Sequence, residues 1–310
     1  MSVEQELGSI TPQKEMLLTI GVFDGVHLGH KHLIAQLKEL ARKQGYSSGV
    51  ITFSQNPKEV LSPQTRLPSL TGIDRRIALL RDEGVDIVLP LPFTPQLADL
   101  SPKQFLSLLK EYLKMKGLVI GPDFALGKDR QGDIDALRRL GQEMGFSVTV
   151  VPPMTIDGQV ASSTVIRKAL AEGDMKQAQR LLGRPFSLQG RVVAGDKRGM
   201  DLGFPTANLD VEPGQALPAG GIYACQAHID GQTYSAMTNI GNRPTFGGGQ
   251  QIIEVYLIDY NGDLYGHELA IDIIGRLRDE KKFDTPEQLK EQIAEDIIQG
   301  KDMLKTRGGS

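Results

Sequence analysis

Two histidines three residues apart stand where an apolar run ends and a helix is predicted to begin. The sequence there is Gly21-Val22-Phe23-Asp24-Gly25-Val26-His27-Leu28-Gly29-His30. This spacing puts both imidazoles on one helix face, beside the unpaired N–H groups of the first turn, where a phosphate binds favourably. Gly29 would let the backbone approach a ligand, and the imidazoles could donate to a transferring phosphoryl group without a covalent step. Two alternatives stay open: the pair could bind a metal ion, although no third ligand lies nearby in sequence, or it could only cap the helix.

A second candidate anion site begins another predicted helix. Ser162, Ser163 and Thr164 are followed by Arg167, which brings hydroxyls and a guanidinium to the first helical turn. An arginine opposes the preference of a first turn for acidic residues, and a bound phosphate would offset that cost. The alternative is an ordinary capped helix with an exposed arginine.

A glycine-rich stretch in the second half leads into a short polar motif. Gly195, Gly199 and Gly203 recur at every fourth position and could offer backbone N–H groups to phosphates, although the GK[ST] ending of a Walker loop is absent. Thr206 and Asn208 would put a hydroxyl and an amide oxygen on the same side of an extended segment. Such oxygens suit Mg²⁺. The alternative is a plain turn between two strands.

One acidic residue interrupts an apolar predicted strand. Glu254 lies within Ile252-Ile253-Glu254-Val255-Tyr256-Leu257, so its neighbours are apolar on both faces. A carboxylate there is costly unless it is paired or used, and it could accept the proton of an alcohol during phosphoryl transfer. The alternative is a glutamate facing solvent on an edge strand.

Composition narrows the class of protein. A chain of 310 residues is expected to form about two domains, and 40% hydrophobic with 24% charged residues excludes disorder, collagen and a coiled coil. Lys and Arg number 22 against 20 Asp and Glu in residues 1–183, and 13 against 18 in residues 184–310, which gives net charges of +2 and −5. This balance argues against nucleic acid as a partner. The single cysteine, Cys225, excludes an internal disulfide and is expected to be inert packing.

The sequence shows no sign of a membrane-spanning or secretory segment. No stretch reaches the roughly 18 apolar residues of a membrane helix, and no secretory apolar region precedes the first predicted strand. We therefore expect a cytoplasmic protein that binds small molecules, interacts with neither membranes nor nucleic acids, and is a monomer or self-associates weakly.

Hydrophobic periodicity predicts a different architecture for each half. Up to residue 183, apolar strands without strict alternation are separated by helices, which predicts an α/β domain with a parallel sheet that binds ligands at the carboxyl ends of its strands. The predicted strands are 16–22, 48–53, 85–91, 118–121 and 146–151, and the helices are 30–44, 74–82, one after Ser101-Pro102 and 133–144.

From residue 184 onward, short alternating segments predict a small antiparallel β-barrel. Asp230-Gly231 and Asn261-Gly262 are hairpin signals, and a terminal helix is predicted from Thr285-Pro286 to Leu304. The predicted domains are 1–183 and 184–310.

The front half resembles the nucleotidyltransferase superfamily marked by HxGH and by a helix that starts with SSTxxR. More specifically, TFSQNPKEVL, GPDFALGKDRQGD, SSTVIRKALAEGD and LLGRPF resemble the FMN adenylyltransferase half of bacterial bifunctional FAD synthetases. The resemblance implies a Rossmann-like domain in which His27 and His30 contact the ATP phosphates and Arg167 holds the triphosphate, all three as catalytic residues. It also implies a set of cofactor-binding residues: Gly21, Phe23, Asp24 near a metal or the phosphates, Gly29, Asp123 at the flavin and nucleotide site, Ser163 and Thr164.

The back half resembles bacterial riboflavin kinase. The resemblance lies in GFPTANL, NIGNRPTF (239–246), EVYLIDY, DLYGHEL (263–269) and RLRDEKKF (276–283). It implies that Thr206 and Asn208 hold Mg²⁺ with ATP and that Glu254 is the catalytic base toward the ribityl 5′-hydroxyl of the flavin. It further implies a phosphate loop at Gly195, Gly199 and Gly203, and flaps formed by residues 242–246 and Arg278.

Together, the two resemblances imply an enzyme that phosphorylates riboflavin with ATP and then adenylylates FMN to FAD, releasing pyrophosphate. The chain departs from the family pattern at a few positions: Val22, Gln55-Asn56, Leu126, Met200 and Tyr256. Two alternatives are a nucleotidyltransferase of other specificity whose barrel binds flavin with little or no activity, and a non-enzymatic flavin-binding protein.

Overall fold

The chain forms two compact units. The structure, a computed structural model, describes residues 2–194, 203–242 and 251–306. The first unit ends at Ser163 and the second begins at Thr164. The helices at residues 163–182 therefore group with the back half, whereas the boundary predicted from sequence lies after residue 183 and stays a prediction.

The first unit alternates strands with helices as the periodicity predicts. Its elements in chain order are α1 (Val3–Gly8), β1 (Met16–Gly21), α2 (Leu28–Gln44), β2 (Ser47–Phe53), α3 (Pro57–Leu61), α4 (Ile73–Asp82), β3 (Ile87–Leu91), α5 (Pro95–Ala98), α6 (Pro102–Leu113), β4 (Met115–Ile120), a 3₁₀ turn (Lys128–Arg130), α7 (Ile134–Met144), β5 (Ser147–Val150), β6 (Thr155–Ile156) and β7 (Gln159–Val160). Each predicted strand and helix of this half is present. The short helices α1, α3 and α5, the 3₁₀ turn and the β6–β7 hairpin were not predicted.

The first sheet is parallel and has helices on both faces. Its strand order is β3-β2-β1-β4-β5. On β1, Leu18 packs in one buried apolar cluster and Leu17 in another, so the two faces of the strand are both covered. Because β1 and β4 are neighbours although they are far apart in sequence, the sheet has its topological switch point between them, where open α/β sheets bind ligands.

The second unit consists of two helices, a barrel and a terminal helix. Its elements are α8 (Ser163–Ala171), α9 (Met175–Leu182), β8 (Phe186–Val193), β9 (Ala207–Val211), β10 (Gly221–Ile229), β11 (Gln232–Asn242), β12 (Gln251–Leu257), β13 (Glu268–Arg278) and α10 (Pro286–Lys305). The strands close into a barrel in the order β10-β11-β12-β9-β8-β13, joined by antiparallel pairs. The predicted barrel is confirmed.

One of the two predicted hairpin turns is wrong. Asp230 and Gly231 have φ of 49° and 76° and join the paired strands β10 and β11, which is the geometry of a two-residue hairpin. Asn261 and Gly262 instead lie within the ten-residue connection between β12 and β13, and these two strands are not neighbours in the barrel. Barrel closure pairs β13 with β8 and β10, so the local turn signal is overridden by non-local strand pairing.

The terminal helix α10 is capped and packed against the barrel. Thr285 caps it through its hydroxyl, which accepts from the backbone N–H of Gln288 at 3.3 Å. Gly300 allows close approach, since a Cβ there would lie 2.4 Å from the sulfur of Met237 on β11. None of the helices in the described part of the chain has the length and apolarity needed to cross a bilayer.

Candidate active sites

His27 occupies the N-cap position of α2, directly after the loop that follows β1. Its Nδ1 accepts a hydrogen bond from the backbone N–H of His30 at 3.4 Å. An imidazole that accepts through Nδ1 carries its proton on Nε2 when it is neutral, so Nε2 is left as a donor. The capping alternative is therefore confirmed as a contact, and donation from Nε2 to a phosphate stays a prediction.

His30 stacks on His27 and contacts Phe23. The two imidazoles are 3.6 Å apart between centroids at an interplanar angle of 22°, and the Phe23 ring meets His30 edge-on at 5.1 Å. Burial, followed by the positive charges of His27 and Arg76, lowers the pKa of His30 well below its ordinary value. His30 is thus neutral near pH 7. Its Nδ1 is buried and has no hydrogen-bond partner among the described residues.

The metal alternative for the histidine pair has little support. No group of three or more His, Cys, Asp or Glu side chains that could hold a metal ion occurs within residues 2–194, 203–242 and 251–306. A histidine pair at a helix N-terminus is better suited to donating hydrogen bonds to phosphate oxygens.

Asp24 connects the loop between β1 and α2 to the segment that precedes α4. The side chain is buried, and its Oδ1 accepts from the backbone N–H groups of Leu70 at 2.8 Å and Thr71 at 3.1 Å. The Thr71 hydroxyl in turn accepts from the N–H of Gly25 at 3.1 Å. The contacts in the structure are thus structural ones, and a contact of Asp24 with metal or phosphate stays a prediction.

The glycines of the motif permit close approach within the protein. A Cβ on Gly29 would lie 2.8 Å from the Ala161 carbonyl oxygen and 3.1 Å from the His27 ring. A Cβ on Gly21 would lie 3.2 Å from the ring of Phe23, which is itself buried. Gly29 therefore lets the chain before α8 pack against the start of α2, a reason that the sequence did not reveal. Ligand contact by these residues stays a prediction.

Arg76 on α4 is a residue of this site that sequence reasoning missed. Its buried guanidinium donates to the carbonyl oxygens of Val22 at 3.1 Å, Phe53 at 2.9 Å and Thr71 at 3.2 Å. The Val22 carbonyl also accepts from the Thr52 hydroxyl at 2.9 Å. A sequence signal was present, because Arg76 is followed at three and four residues by two leucines that share its buried helix face.

The remaining predicted residues of the front half lie at loops and helix starts. Ser163 donates from its hydroxyl to the Asp24 carbonyl at 2.9 Å, so it contacts the loop that follows β1. Asp123 is exposed after β4, on the carboxyl side of the sheet, and its carbonyl accepts from Arg130 at 3.0 Å. Thr164 and Arg167 follow on α8 and belong to the second unit. Their binding roles stay predictions.

Three departures from the family pattern have local structural roles. The Gln55 side chain accepts from the N–H of Phe93 at 3.2 Å, and Asn56 caps α3 by accepting from the N–H of Lys58 at 3.1 Å. Leu126 is buried in an apolar cluster of the first unit and pairs with Gly132. Packing accounts for Leu126 without a ligand.

In the second unit, Glu254 lies in a row of polar side chains across three strands of the barrel. Register pairs Glu254 on β12 with Asn208 on β9 and with Asn239 on β11. Asn239 donates from Nδ2 to Glu254 Oε2 at 3.3 Å. Glu254 is half-buried on the strand face opposite Ile253 and Val255, which are buried.

The edge-strand alternative for Glu254 is wrong, because β12 has a paired strand on each side. The expectation of apolar neighbours holds along its own strand, where Ile252 and Tyr256 share its face, whereas its cross-strand neighbours Asn208 and Asn239 are polar. Asn239 belongs to a motif recognised in the sequence, but its position beside Glu254 depends on the β11–β12 register.

Thr206 and Asn208 have half-buried side chains at the start of β9, and their role as Mg²⁺ ligands stays a prediction. Neither side chain makes a hydrogen bond within the described part of the chain, so both oxygens can be offered to an ion. Mg²⁺ keeps most of its waters and accepts few protein ligands, and a hydroxyl with an amide oxygen fits that requirement. Beside them, the Phe204 and Tyr256 rings meet edge-on at 5.6 Å and form an aromatic wall.

The glycine loop and the predicted flaps are only partly described. Gly203 has φ of +86°, a conformation that favours glycine, whereas Gly195, Gly199, Met200 and residues 243–246 lie outside the described residues. Arg278 ends β13, and its guanidinium donates to both carboxylate oxygens of Asp296 on α10, at 2.9 and 2.6 Å. Because this fork is occupied by a protein carboxylate, contact between Arg278 and a ligand stays a prediction.

A parallel α/β sheet with a histidine pair at its switch point, followed by a barrel carrying Thr206, Asn208 and Glu254, defines a two-unit protein of the phosphate-transfer class. Residues 9–165 match the FAD synthetase family, and residues 182–304 match the riboflavin kinase family. The chain belongs to the family of bifunctional riboflavin kinase/FMN adenylyltransferases.

Relatives support that assignment over nearly the whole chain. The bifunctional riboflavin kinase/FMN adenylyltransferase of Pseudomonas fluorescens is 40% identical over 96% of this chain and 96% of its own. The enzyme of the same name from Escherichia coli strain K12 is 38% identical over 96% of this chain and 95% of its own. A crystal structure named as a macrolide-efflux protein from Streptococcus pneumoniae superposes with a TM-score of 0.87 at 33% identity, covering 94% of this chain and 95% of that one.

Proposed function

We propose that this protein makes FAD from riboflavin in two ATP-dependent steps. The riboflavin 5′-hydroxyl attacks the γ-phosphorus of ATP, giving FMN and ADP. A phosphate oxygen of FMN then attacks the α-phosphorus of a second ATP, giving FAD and pyrophosphate. The observation that carries the proposal is that the α/β sheet carries the histidine pair at its switch point, whereas the barrel carries Glu254 beside Asn208 and Asn239.

The adenylylation step is assigned to residues 1–183. His27 donates from Nε2, and neutral His30 stacked on it donates to phosphate oxygens on which charge develops. Ser163, Thr164 and Arg167 hold the triphosphate at the start of α8, with Gly21, Phe23, Asp24, Gly29 and Asp123 completing the flavin and nucleotide site. The phosphate of FMN is itself the nucleophile, so no serine or cysteine nucleophile is needed.

The kinase step is assigned to residues 184–310. Glu254 accepts the proton of the riboflavin hydroxyl, and Asn239 orients its carboxylate by donating to one oxygen so that the other faces the substrate. Thr206 and Asn208 would hold Mg²⁺ together with ATP, with Gly195, Gly199 and Gly203 around the phosphates and Arg278 near the flap. When bound, Mg²⁺ would neutralise charge on the phosphates.

The ligands, the cellular location and the oligomeric state of the protein are also part of the proposal. Its partners are ATP, riboflavin, FMN, FAD, ADP and pyrophosphate, and a cytoplasmic, monomeric or weakly self-associating protein is the expected state. These assignments follow from the two reactions, which need only small-molecule substrates.

Substitution of the histidines tests the adenylylation half. With both His27→Ala and His30→Ala, purified protein given riboflavin, ATP and Mg²⁺ should accumulate FMN and form no FAD, as followed by chromatography. His32→Ala is the matched control, because His32 lies two residues further along α2 and points to another helix face. FAD formed at the parent rate by the double variant would contradict the assignment.

Substitution of the acid tests the kinase half in the same assay. Glu254→Ala should lose riboflavin phosphorylation by about 10²-fold or more, the contribution typical of a general base, while supplied FMN is still converted to FAD. Glu268→Ala, which removes an exposed acid at the start of β13, should leave both reactions unchanged. Kinase turnover that survives Glu254→Ala would remove Glu254 from the mechanism.

A further inference from the structure

The loop between β1 and α2, residues 22–27, contains three residues with positive φ. Phe23, Gly25 and Val26 have φ of 53°, 83° and 39°, and Val26 is β-branched. Such conformations persist only where surrounding contacts fix them. The loop must hold this shape because it ends at His27, the cap of α2.

Two hydrogen bonds join this histidine loop to Thr71, which is buried just before α4, and a third joins Thr71 to Arg76. Asp24 accepts from the Thr71 N–H, Gly25 donates to the Thr71 hydroxyl, and Arg76 donates to the Thr71 carbonyl at 3.2 Å. All the polar groups of Thr71 are therefore used, two by the histidine loop and one by Arg76.

Arg76 also reaches the histidine loop directly. One guanidinium nitrogen donates to the carbonyls of Val22 and Phe53, which are the residues that follow β1 and end β2. Arg76 is 4% exposed, so these bonds are shielded from water. A single side chain thus joins the ends of two neighbouring strands to the start of α4.

The charge of Arg76 acts on His30 as well. The charged or titratable groups that act on His30 are His27, whose ring stacks on it, and Arg76 on α4, while the Asp24 carboxylate in the loop accepts from backbone N–H groups. Burial, His27 and Arg76 all lower the pKa of His30. Removing the Arg76 charge would therefore move that pKa upward, toward its ordinary value.

We propose that Arg76 is a positioning residue for adenylylation, which fixes the histidine loop through its hydrogen bonds and acts on His30 through its positive charge. This inference rests on the proposed function of the first unit. Arg76 touches no reacting atom and acts through His27 and His30.

Two substitutions of Arg76 distinguish the effect of its hydrogen bonds from the effect of its charge. Arg76→Met removes the hydrogen bonds and the charge, and should lower kcat for FAD formation from FMN and ATP by roughly 100-fold, with a smaller change in KM. Arg76→Lys keeps the charge but has one nitrogen in place of the two separated guanidinium nitrogens that reach the three carbonyls, so kcat should fall less than in Arg76→Met. Riboflavin phosphorylation by the same polypeptides should be unchanged.

The pH titration of His30 in the ligand-free protein provides a second measurement. A residue with a merely structural role would leave it unchanged. NMR of histidine-labelled full-length chain would follow the His30 resonance with pH, assigned by its loss in His30→Gln. The midpoint should rise in Arg76→Met and stay at the parent value in Arg76→Lys. Arg75→Met is the matched control, since Arg75 is the exposed neighbour of Arg76 on α4 and makes no hydrogen bond or ion pair with described residues.

The outcomes divide clearly. Parent kcat in Arg76→Met or Arg76→Lys, or a His30 midpoint that is the same in the parent and Arg76→Met, would overturn the proposal. If Arg76→Met does not fold, Arg76→Lys decides alone, with a lowered kcat at little-changed KM and an unchanged midpoint as the supporting result. A parent protein that makes no FAD from FMN would contradict the proposed function instead, and the titration would still decide whether Arg76 controls His30.

Discussion

At the scale of single residues, hydrogen bonds within the protein orient the key side chain of each candidate site. His27 accepts a hydrogen bond through Nδ1, which caps α2. Glu254 accepts a hydrogen bond from Asn239 through Oε2. In both cases a hydrogen bond within the protein restricts the orientation of the group before any substrate binds.

The contact between Asn239 and Glu254 gives a prediction at this scale. Asn239→Ala removes a hydrogen bond to a charged group, which is worth about 1.5–3 kcal/mol, so kcat for riboflavin phosphorylation should fall by about tenfold or more. FMN adenylylation by the same variant should be unchanged. Steady-state assays of both reactions would measure this, with Asn261→Ala in the exposed β12–β13 connection as control. A kinase kcat equal to that of the parent would show that Asn239 does not orient the base.

The single cysteine gives a second residue-scale prediction. Cys225 is buried on β10, and burial raises the pKa of its thiol to about 12. The thiolate is the reactive form, so at pH 8 the folded protein should react with a disulfide reagent far more slowly than the same protein in denaturant, which should release one thiol per chain. Fast reaction of the folded protein would contradict the buried position of Cys225.

At the scale of elements, the terminal helix α10 is joined to the barrel by two ion pairs of different burial. Arg278 and Asp296 have side chains 15% and 5% exposed, and their oxygen and nitrogen atoms lie 2.6 Å apart. Lys301 and Asp259 are 39% and 85% exposed at 3.2 Å. Breaking a buried pair leaves an uncompensated charge inside the protein, whereas an exposed pair is screened by water.

This difference predicts unequal effects of two matched substitutions. Asp296→Ala should destabilise the docking of α10 by about 3–5 kcal/mol, and Asp259→Ala by about 1 kcal/mol or less. Hydrogen exchange of peptides from residues 286–305, measured by mass spectrometry, would report the loss of protection. Equal protection in the two variants would mean that the Arg278–Asp296 pair does not hold the helix.

At the scale of the whole molecule, the proposed function requires two different phosphate sites on one chain. The first unit presents its histidines at the switch point of a parallel sheet, and the second presents Thr206, Asn208 and Glu254 on neighbouring barrel strands. The two proposed reactions break different bonds of ATP. One chain therefore needs two separate nucleotide sites.

The stoichiometry of ATP binding tests this arrangement. Calorimetric titration of the full chain with ATP and Mg²⁺, in the absence of flavin so that neither transfer occurs, should give two equivalents bound per chain. Arg167→Ala and Thr206→Ala should each reduce binding to one equivalent, because each removes a ligand from a different site. A single equivalent in the parent protein would contradict the two-site proposal.

Several features of this protein could be predicted from the sequence because they depend on neighbours along the chain. The apolar periods predict β1, α2 and the rest of the α/β order, Ser101-Pro102 predicts the start of α6, and Asp230-Gly231 predicts a hairpin turn. Each of these elements depends on interactions between residues that are close together in sequence. The family resemblance likewise rests on contiguous motifs and is confirmed by the relatives.

The tertiary structure decided what depends on residues far apart in sequence. Barrel closure separates β12 from β13 and so overrides the Asn261-Gly262 turn signal, and it brings Asn239 to Glu254. The tertiary fold also places the Arg76 side chain on α4 within hydrogen-bonding distance of the carbonyls of Val22 and Phe53. The sequence by itself determined the elements and the kinds of chemistry, because local propensity and residue type suffice for those. Only packing decided which side chains meet, because strand pairing and burial are set by contacts between segments that the chain order leaves unconnected.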